Sequence, residues 1–227
     1  MTVCVVVGAG AQGRVTLEAW RAERPHARFV LLDDDAKLHG TTLLDVKVEG
    51  GLDQLGALSG QDSSAESCEV IVALGNNETR LALTARLESS VKGLRWGTAI
   101  HPSAVVMPSA RIGGGTVVLA GAIVNTDACI GAHVVVNTGV IVEHDCIIED
   151  GASLSPGTKM GGRVKVGRGA FVSTGVTLAP RVSVGAGAVI GAGAVVTSDI
   201  AERVLAYGVP ARVVKPIAAS FDWRRLL

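Results

Sequence analysis

Residues 100–196 read IHPSAVVMPSARIGGGTVVLAGAIVNTDACIGAHVVVNTGVIVEHDCIIEDGASLSPGTKMGGRVKVGRGAFVSTGVTLAPRVSVGAGAVIGAGAVV. Steps of six from Ile100 land on Val106, Ile112, Val118, Val124, Ile130, Val136, Val142, Ile148, Leu154, Met160, Val166, Val172, Leu178, Val184, Ile190 and Val196, and Glu202 ends the series. If about 40% of positions were branched aliphatic or Met by chance, so long a run would arise roughly once in several million tries, so the period is real. Two places before each aliphatic stands a small residue, Ala, Thr, Cys or Val, as at Ala122, Ala128, Val134, Cys146, Ala152, Thr158, Val164 and Ala170. Positions i and i−2 of a strand face the same way, so each unit supplies one large and one small inward side chain. Gly or Asn often follows the aliphatic, as at Gly113, Asn125, Gly131, Asn137, Gly167, Gly185 and Gly191. These residues tolerate positive φ and are the expected corners. A strand and a corner every six residues close a triangle after three units, so one coil takes 18 residues and coils stack roughly 4.8 Å apart. The expected architecture is a triangular prism, a left-handed parallel β-helix.

The residues before the prism read differently. VCVVVGAGAQGRVTLEAWRAE is strand, glycine turn and helix, followed by a strand in ARFVLLDDD. Gly8, Gly10 and Gly13 fit G-x-G-x-x-G, whose glycines permit a tight turn and bring helix N–H groups to a phosphate. Asp33, with Asp34 beside it, closes the second strand, where a ribose hydroxyl is bound in such folds. EVIVALG forms a third strand ending at Asn76, a helix covers TRLALTARLES, and LRWGTAI is expected as the last strand. About 98 residues hold one mononucleotide-binding half and not two, so a single nucleotide fits better than a dinucleotide. The expected organisation is an α/β half-Rossmann nucleotide-sugar-binding domain (1–98), the β-helix (99–200) and a C-terminal cap (201–227).

Composition narrows the partners. Lys and Arg number 21 and Asp and Glu number 21, which leaves no basic footprint for nucleic acid. The apolar opening is far shorter than the roughly 20 residues of a membrane span, and no basic flank or cleavage site marks it as a signal peptide. Four cysteines, Cys4, Cys68, Cys129 and Cys146, lack metal or disulfide spacing, which fits a reducing cytoplasm.

GAGAQG, LLDDD, LGNNETR, HPSAVVMPSARIG, NTGVIVEHDC and YGVPARVV together resemble the sugar-nucleotide N-acetyltransferase and sialic acid O-acyltransferase-type family of hexapeptide-repeat acyltransferases. Its best-described members acetylate the amine of UDP-4-amino-4,6-dideoxy sugars. The resemblance implies acetyl-CoA as donor, a nucleotide-linked amino sugar as acceptor, and a homotrimer with sites between protomers. It implies that His144 is the base, that Glu143 and Asp145 support it, and that Asn137 shares the site. It places Asn76 and Gln12 with the substrate, although many relatives carry His at position 12. Ser153, where some relatives have a His near acetyl-CoA, is expected on the acyl donor with Gly161, Gly162, Gly208, Pro210, Ala211 and Arg212.

The residues argue independently for the same chemistry. Histidine accepts a proton near neutral pH, and an adjacent carboxylate can fix its tautomer. Gly162 lies one coil, 18 residues, beyond His144, so its N–H is the expected oxyanion donor. One coil the other way lies Thr126, so no three-His metal site is expected around His144. O-acetylation of a sialic acid or related sugar remains an alternative, as does a non-catalytic trimeric module that binds sugar nucleotides.

Overall fold

The computed structural model describes residues 2–60 and 68–218. The N-terminal unit comprises β1 (Val3–Val7), α1 (Ala11–Glu23), β2 (Arg28–Leu32), β3 (Thr42–Leu43), β4 (Val46–Gly50), α2 (Leu55–Gly60), β5 (Cys68–Val72) and α3 (Asn77–Ser90). The sheet order is β3-β4-β2-β1-β5, parallel except for the β3–β4 hairpin. Val3, Val5 and Val7 face Leu55 and Leu87, while Cys4 and Val6 face Leu17 and Trp20 of α1. Burial on both faces is why β1 reads as an unbroken apolar run.

LRWGTAI does not close this sheet. Trp96 makes only an isolated bridge to Val70, and Ala99–Ile100 instead form the first rung of the prism. The β3–β4 hairpin and α2 take up the intervening sequence, which the hydrophobic pattern alone left unassigned.

From Ala99 the chain winds as a left-handed parallel β-helix of two-residue strands on three faces. Face I carries 99–100, 117–118, 135–136, 153–154, 171–172 and 189–190. Face II carries 105–106, 123–124, 141–142, 159–160, 177–178 and 195–196, and face III carries 111–112, 129–130, 147–148, 165–166 and 183–184. Each strand pairs with its counterpart 18 residues away, as Ile141 with Lys159 and Val142 with Met160. From Val118 to Val196 every aliphatic of the six-residue series is at most 3% exposed. Burying one such side chain stabilises by roughly 1.5–3 kcal/mol, and the stacked series forms the prism's continuous core. Polar members of the small series are satisfied inside: Thr116 Oγ1 donates to Gly131 O (2.8 Å), and Cys146 Sγ to Gly161 O (3.3 Å).

The corners differ from expectation in one respect. Positive φ recurs every six residues, but at the third position after the aliphatic: Gly121, Asp127, His133, Gly139, Asp145, Gly151 and onward. The glycine directly after the aliphatic serves close approach instead. A Cβ on Gly113 would stand 2.6 Å from Ala132 N, and one on Gly167 2.6 Å from Ala186 N, both on the next coil. The prism ends in an antiparallel hairpin, Val204–Gly208 with Ala211–Pro216, which extends face I.

The α/β unit sits on face I and on the corner between faces III and I. Ala99, Val117 and Leu119 join the α1 side of its core, and Glu23 Oε2 accepts from Ile100 N at 3.1 Å. Trp96 stands edge-on to His133 at 4.5 Å. His133 is 5% exposed, and its Nδ1 has no partner among the described residues. Burial pulls the imidazole below its ordinary value, so it stays neutral when folded. The unfolded chain therefore binds the extra proton first as pH falls below about 6.5, and stability is lost in that direction. The drop in Tm between pH 7.5 and 5 should be smaller in His133→Asn, whose side chain tolerates φ +56°; an equal drop by thermal melt would unlink His133 from acid sensitivity.

Candidate active site

Two groups of the expected residues come together. At the C-terminal ends of β1 and β2, flanked by β2 and β5 on either side of β1, a cavity of about 380 Å³ is lined by Val7, Gly8, Asp33, Asp34, Leu52, Leu74 and the α3 residues Thr79, Ala82, Leu83 and Arg86. This is where ligands bind in open α/β sheets. Asp33 Oδ2 accepts Ala9 N at 2.8 Å, which ties the glycine turn to the second strand, and Oδ1 accepts Asp35 N at 2.9 Å. Asp34 Oδ1 accepts Leu52 N at 3.0 Å, with Arg86 3.6 Å from its other oxygen. Gly10 is the exposed N-cap of α1. Gly13 is buried, and a Cβ there would overlap Gly8 O, so this glycine packs the helix onto the turn and does not face the cavity. Gln12 lies in the first turn of α1, its Nε2 3.5 Å from Thr16 Oγ1.

The second group stands on the corner between faces II and III. His144 follows the Ile141–Val142 strand by two residues, so its side chain leaves the prism and is 53% exposed. Asp145, held at φ +58°, accepts from His144 Nδ1 at 2.8 Å. That bond, followed by Arg163 Nε at 3.5 Å, holds the Asp145 carboxyl below its ordinary value, so it is an ionised acceptor at neutral pH. A proton on Nδ1 leaves Nε2 as the basic nitrogen. Nε2 faces Gly162: a Cβ on Gly162 would run into the ring, standing 2.6 Å from Cε1. Among the described residues the Gly162 N–H meets no acceptor, whereas the corner N–H groups of Thr126 and Thr138 are taken by Asn125 and Asn137. A proton acceptor and a free donor thus stand side by side on successive coils.

Other expected residues lie elsewhere. Glu143 does not reach the imidazole; its Oε2 accepts the backbone N–H of His144 at 3.3 Å. Asn137 occupies the corner between faces I and II, not that of His144, so one chain does not bring the two together. Asn76 caps α3 by accepting Thr79 N at 2.9 Å and lies outside the glycine-turn cavity. Ser153 is 6% exposed in the joint beneath α3, where its hydroxyl donates to Asn77 Oδ1, so it offers no surface to an acyl donor. Gly161 packs against Pro180, its Cβ position 2.6 Å from the ring. A groove of about 630 Å³ runs along the upper part of face I, lined by Phe171, Ser173, Gly191, Gly193, Tyr207, Gly208 and Val209. Gly208 alone of the four hairpin residues lines it. Pro210 is exposed at the turn, Ala211 is buried on the last coil, and Arg212 Nη1 donates to the carbonyl of Ala211. His101, His133 and His144 stand on three different corners, and among the described residues no three His, Cys, Asp or Glu side chains group as metal ligands.

The joint itself was missed from sequence. Asn77 and Arg80 are buried and bond the prism. The only sequence signal was the i, i+3, i+7, i+10 spacing of Asn77, Arg80, Thr84 and Leu87, which polar side chains disguise.

Comparison with known proteins agrees with this architecture. Residues 4–87 match the model of the PglD N-terminal domain, and residues 163–198 match the bacterial transferase hexapeptide (six repeats). No curated protein sequence matches. Among solved structures, a mutant of perosamine N-acetyltransferase from Caulobacter crescentus in complex with CoA and GDP-perosamine is 35% identical, with 93% of this chain and 96% of that one covered and a TM-score of 0.85. The acetyltransferase domain of PglB from Neisseria gonorrhoeae, in complex with acetyl coenzyme A, is 33% identical, with 93% and 98% covered and a TM-score of 0.85. WeeI from Acinetobacter baumannii is 26% identical over 94% of this chain and all of that one, with a TM-score of 0.82. On this identity across nearly the whole length of both chains, the protein belongs to the hexapeptide-repeat sugar-nucleotide N-acetyltransferases, acyltransferases with a PglD-type N-terminal domain.

Proposed function

We propose that the protein transfers the acetyl group of acetyl-CoA to the amine of a nucleotide-linked amino sugar of the 4-amino-4,6-dideoxy type, with His144 as general base. The observation that carries this reading is the imidazole fixed by Asp145, with Nε2 turned to a glycine whose N–H is free. The amine nitrogen attacks the thioester carbonyl, its proton passes to Nε2, and the oxygen that gains charge takes the Gly162 N–H. The tetrahedral intermediate then collapses with breakage of the C–S bond. The proton on Nε2 goes to the departing thiolate, leaving an amide and free CoA.

The glycine-turn cavity takes the nucleotide, and its companions at 33–35% identity hold CoA or acetyl-CoA, one of them with GDP-perosamine. In one chain the α/β unit covers face I and the III/I corner, whereas His144 stands on the II/III corner. A site that joins nucleotide, Asn137 and His144 therefore calls for a neighbouring copy, which supports a homotrimer with sites between protomers. Four unpaired cysteines are in keeping with a cytoplasmic setting.

The test is incubation with acetyl-CoA and UDP-, dTDP- and GDP-linked 4-amino-4,6-dideoxy sugars while free thiol is followed. Thiol release that depends on one of these amines is expected. Release with hydroxyl acceptors alone, or with none, contradicts the reading.

A further inference from the structure

The two sides of α3 do different things. Thr79, Ala82, Leu83 and Arg86 line the glycine-turn cavity, whereas Asn77, Arg80, Thr84 and Leu87 are buried on the other side. Arg80 is 1% exposed. Within its own unit the guanidinium donates to Leu74 O (2.6 Å) and Asn77 Oδ1 (3.0 Å). Across the joint it donates to His133 O (3.0 Å), Gly151 O (2.9 Å) and Ser153 Oγ (3.2 Å). Asn77 Nδ2 adds Gly169 O (3.1 Å) and Ala170 O (3.0 Å). His133, Gly151 and Gly169 are one corner position on three successive coils, so the start of α3 is bolted to three rungs of the prism at once.

Among the described residues all five Arg80 partners are neutral, and burial pulls the group down to about 10 while leaving it charged at neutral pH. Burying a cation without a counter-ion costs stability that an apolar side chain of similar length would not, so what the guanidinium supplies is directional geometry. In a symmetric assembly, the seating of the α/β unit on its own prism also fixes its seating against every neighbouring copy.

We propose that Arg80 is a positioning residue for the acyl acceptor: it sets where the α3 wall of the nucleotide cavity stands relative to the prism, and so where the sugar amine is delivered. This rests on the functional reading above. A misplacement of about 1 Å at a reacting centre can cost on the order of 10²-fold in rate, so a loosened joint should be visible in turnover before it is visible in binding.

The experiment uses the full chain with Arg80→Met and Arg80→Lys. Lysine keeps the charge, but one ammonium cannot reproduce the planar fork, so it is not expected to rescue. The Kd for free GDP, UDP or dTDP, whichever the wild type binds, should stay within about twofold, as should KM for acetyl-CoA, while kcat/KM for the nucleotide-sugar falls by about 10–100-fold. An equal loss of nucleotide affinity, or wild-type kcat/KM per folded molecule, overturns the proposal. Should Arg80→Met fail to fold, Ser153→Ala removes one of the prism acceptors of Arg80 together with the hydroxyl's bond to Asn77 Oδ1, and should give a smaller loss of the same pattern. Amide hydrogen exchange needs no turnover: residues 131–134 and 149–152 should exchange faster in Arg80→Met, with β1 and β2 unchanged, and unaltered exchange at the joint contradicts the proposal. Absence of turnover in the wild type with every acceptor would defeat the functional reading and leave exchange to decide the joint.

Discussion

Replacement of His144 by alanine should lower kcat for acetyl transfer by about 10²–10⁴-fold, with KM for acetyl-CoA little changed. The imidazole is half-exposed on a corner and contributes nothing to the prism core, so the variant should melt close to the wild type. What it loses is the group that takes the amine's proton as the C–N bond forms. Without it the nitrogen that has added to the carbonyl keeps its proton, the tetrahedral intermediate reverts by expelling the amine, and only water, a far weaker base, is left to take the proton. His144→Gln should not restore the rate, because an amide cannot take a proton at neutral pH. An unchanged kcat in steady-state assays with saturating acceptor would remove His144 from the chemistry.

Gly162→Ala should cost about 10²–10³-fold in kcat, the size of an oxyanion-donor loss, although the backbone N–H is still present. The added methyl cannot coexist with the His144 ring where it stands, so the imidazole is pushed off its Asp145-bound position and the approach to the N–H is narrowed. The φ of Gly162 is not in the left-handed region, so alanine is tolerated by the backbone and the loss reads the active site and not the fold. Because the two residues act as one unit, the double variant His144→Ala/Gly162→Ala should be scarcely slower than the poorer single variant. Additive losses would show that the glycine acts independently of the histidine.

The six-residue series from Ile100 to Val196 was legible because the prism repeats one geometric demand, a large inward side chain on every short strand. The 18-residue coil that follows from the same series pairs His144 with Gly162, and the fold places them on successive coils. Corner conformation was misread by two positions. Glycine is common both where φ is positive, as at Gly151, and where the next coil comes close, as at Gly113, and sequence does not separate those causes. Trp96 and Ala99 read as one strand because LRWGTAI is apolar enough for either sheet; the second half went to the prism, where it completes the first coil. Ser153 was misplaced for a related reason. Its position in the repeat fixes that it lies on face I, but not that α3 would cover it there. Arg80 shares the helical spacing of Asn77, Thr84 and Leu87, but a buried arginine and a solvated one on an amphipathic helix look alike until the carbonyls that receive it are known.

Transfer of acetyl from CoA to a sugar amine leaves its mark in the bond of the product. The wild-type protein, acetyl-CoA and the nucleotide-linked 4-amino sugar that supports thiol release are allowed to react to completion, and the product is taken for mass and proton NMR. One acetyl per sugar is predicted, joined as an amide at the former amine and stable to hydroxylamine, with one free CoA thiol per product. An acetyl found on a hydroxyl oxygen and cleaved by hydroxylamine, with the amine still free, would contradict it.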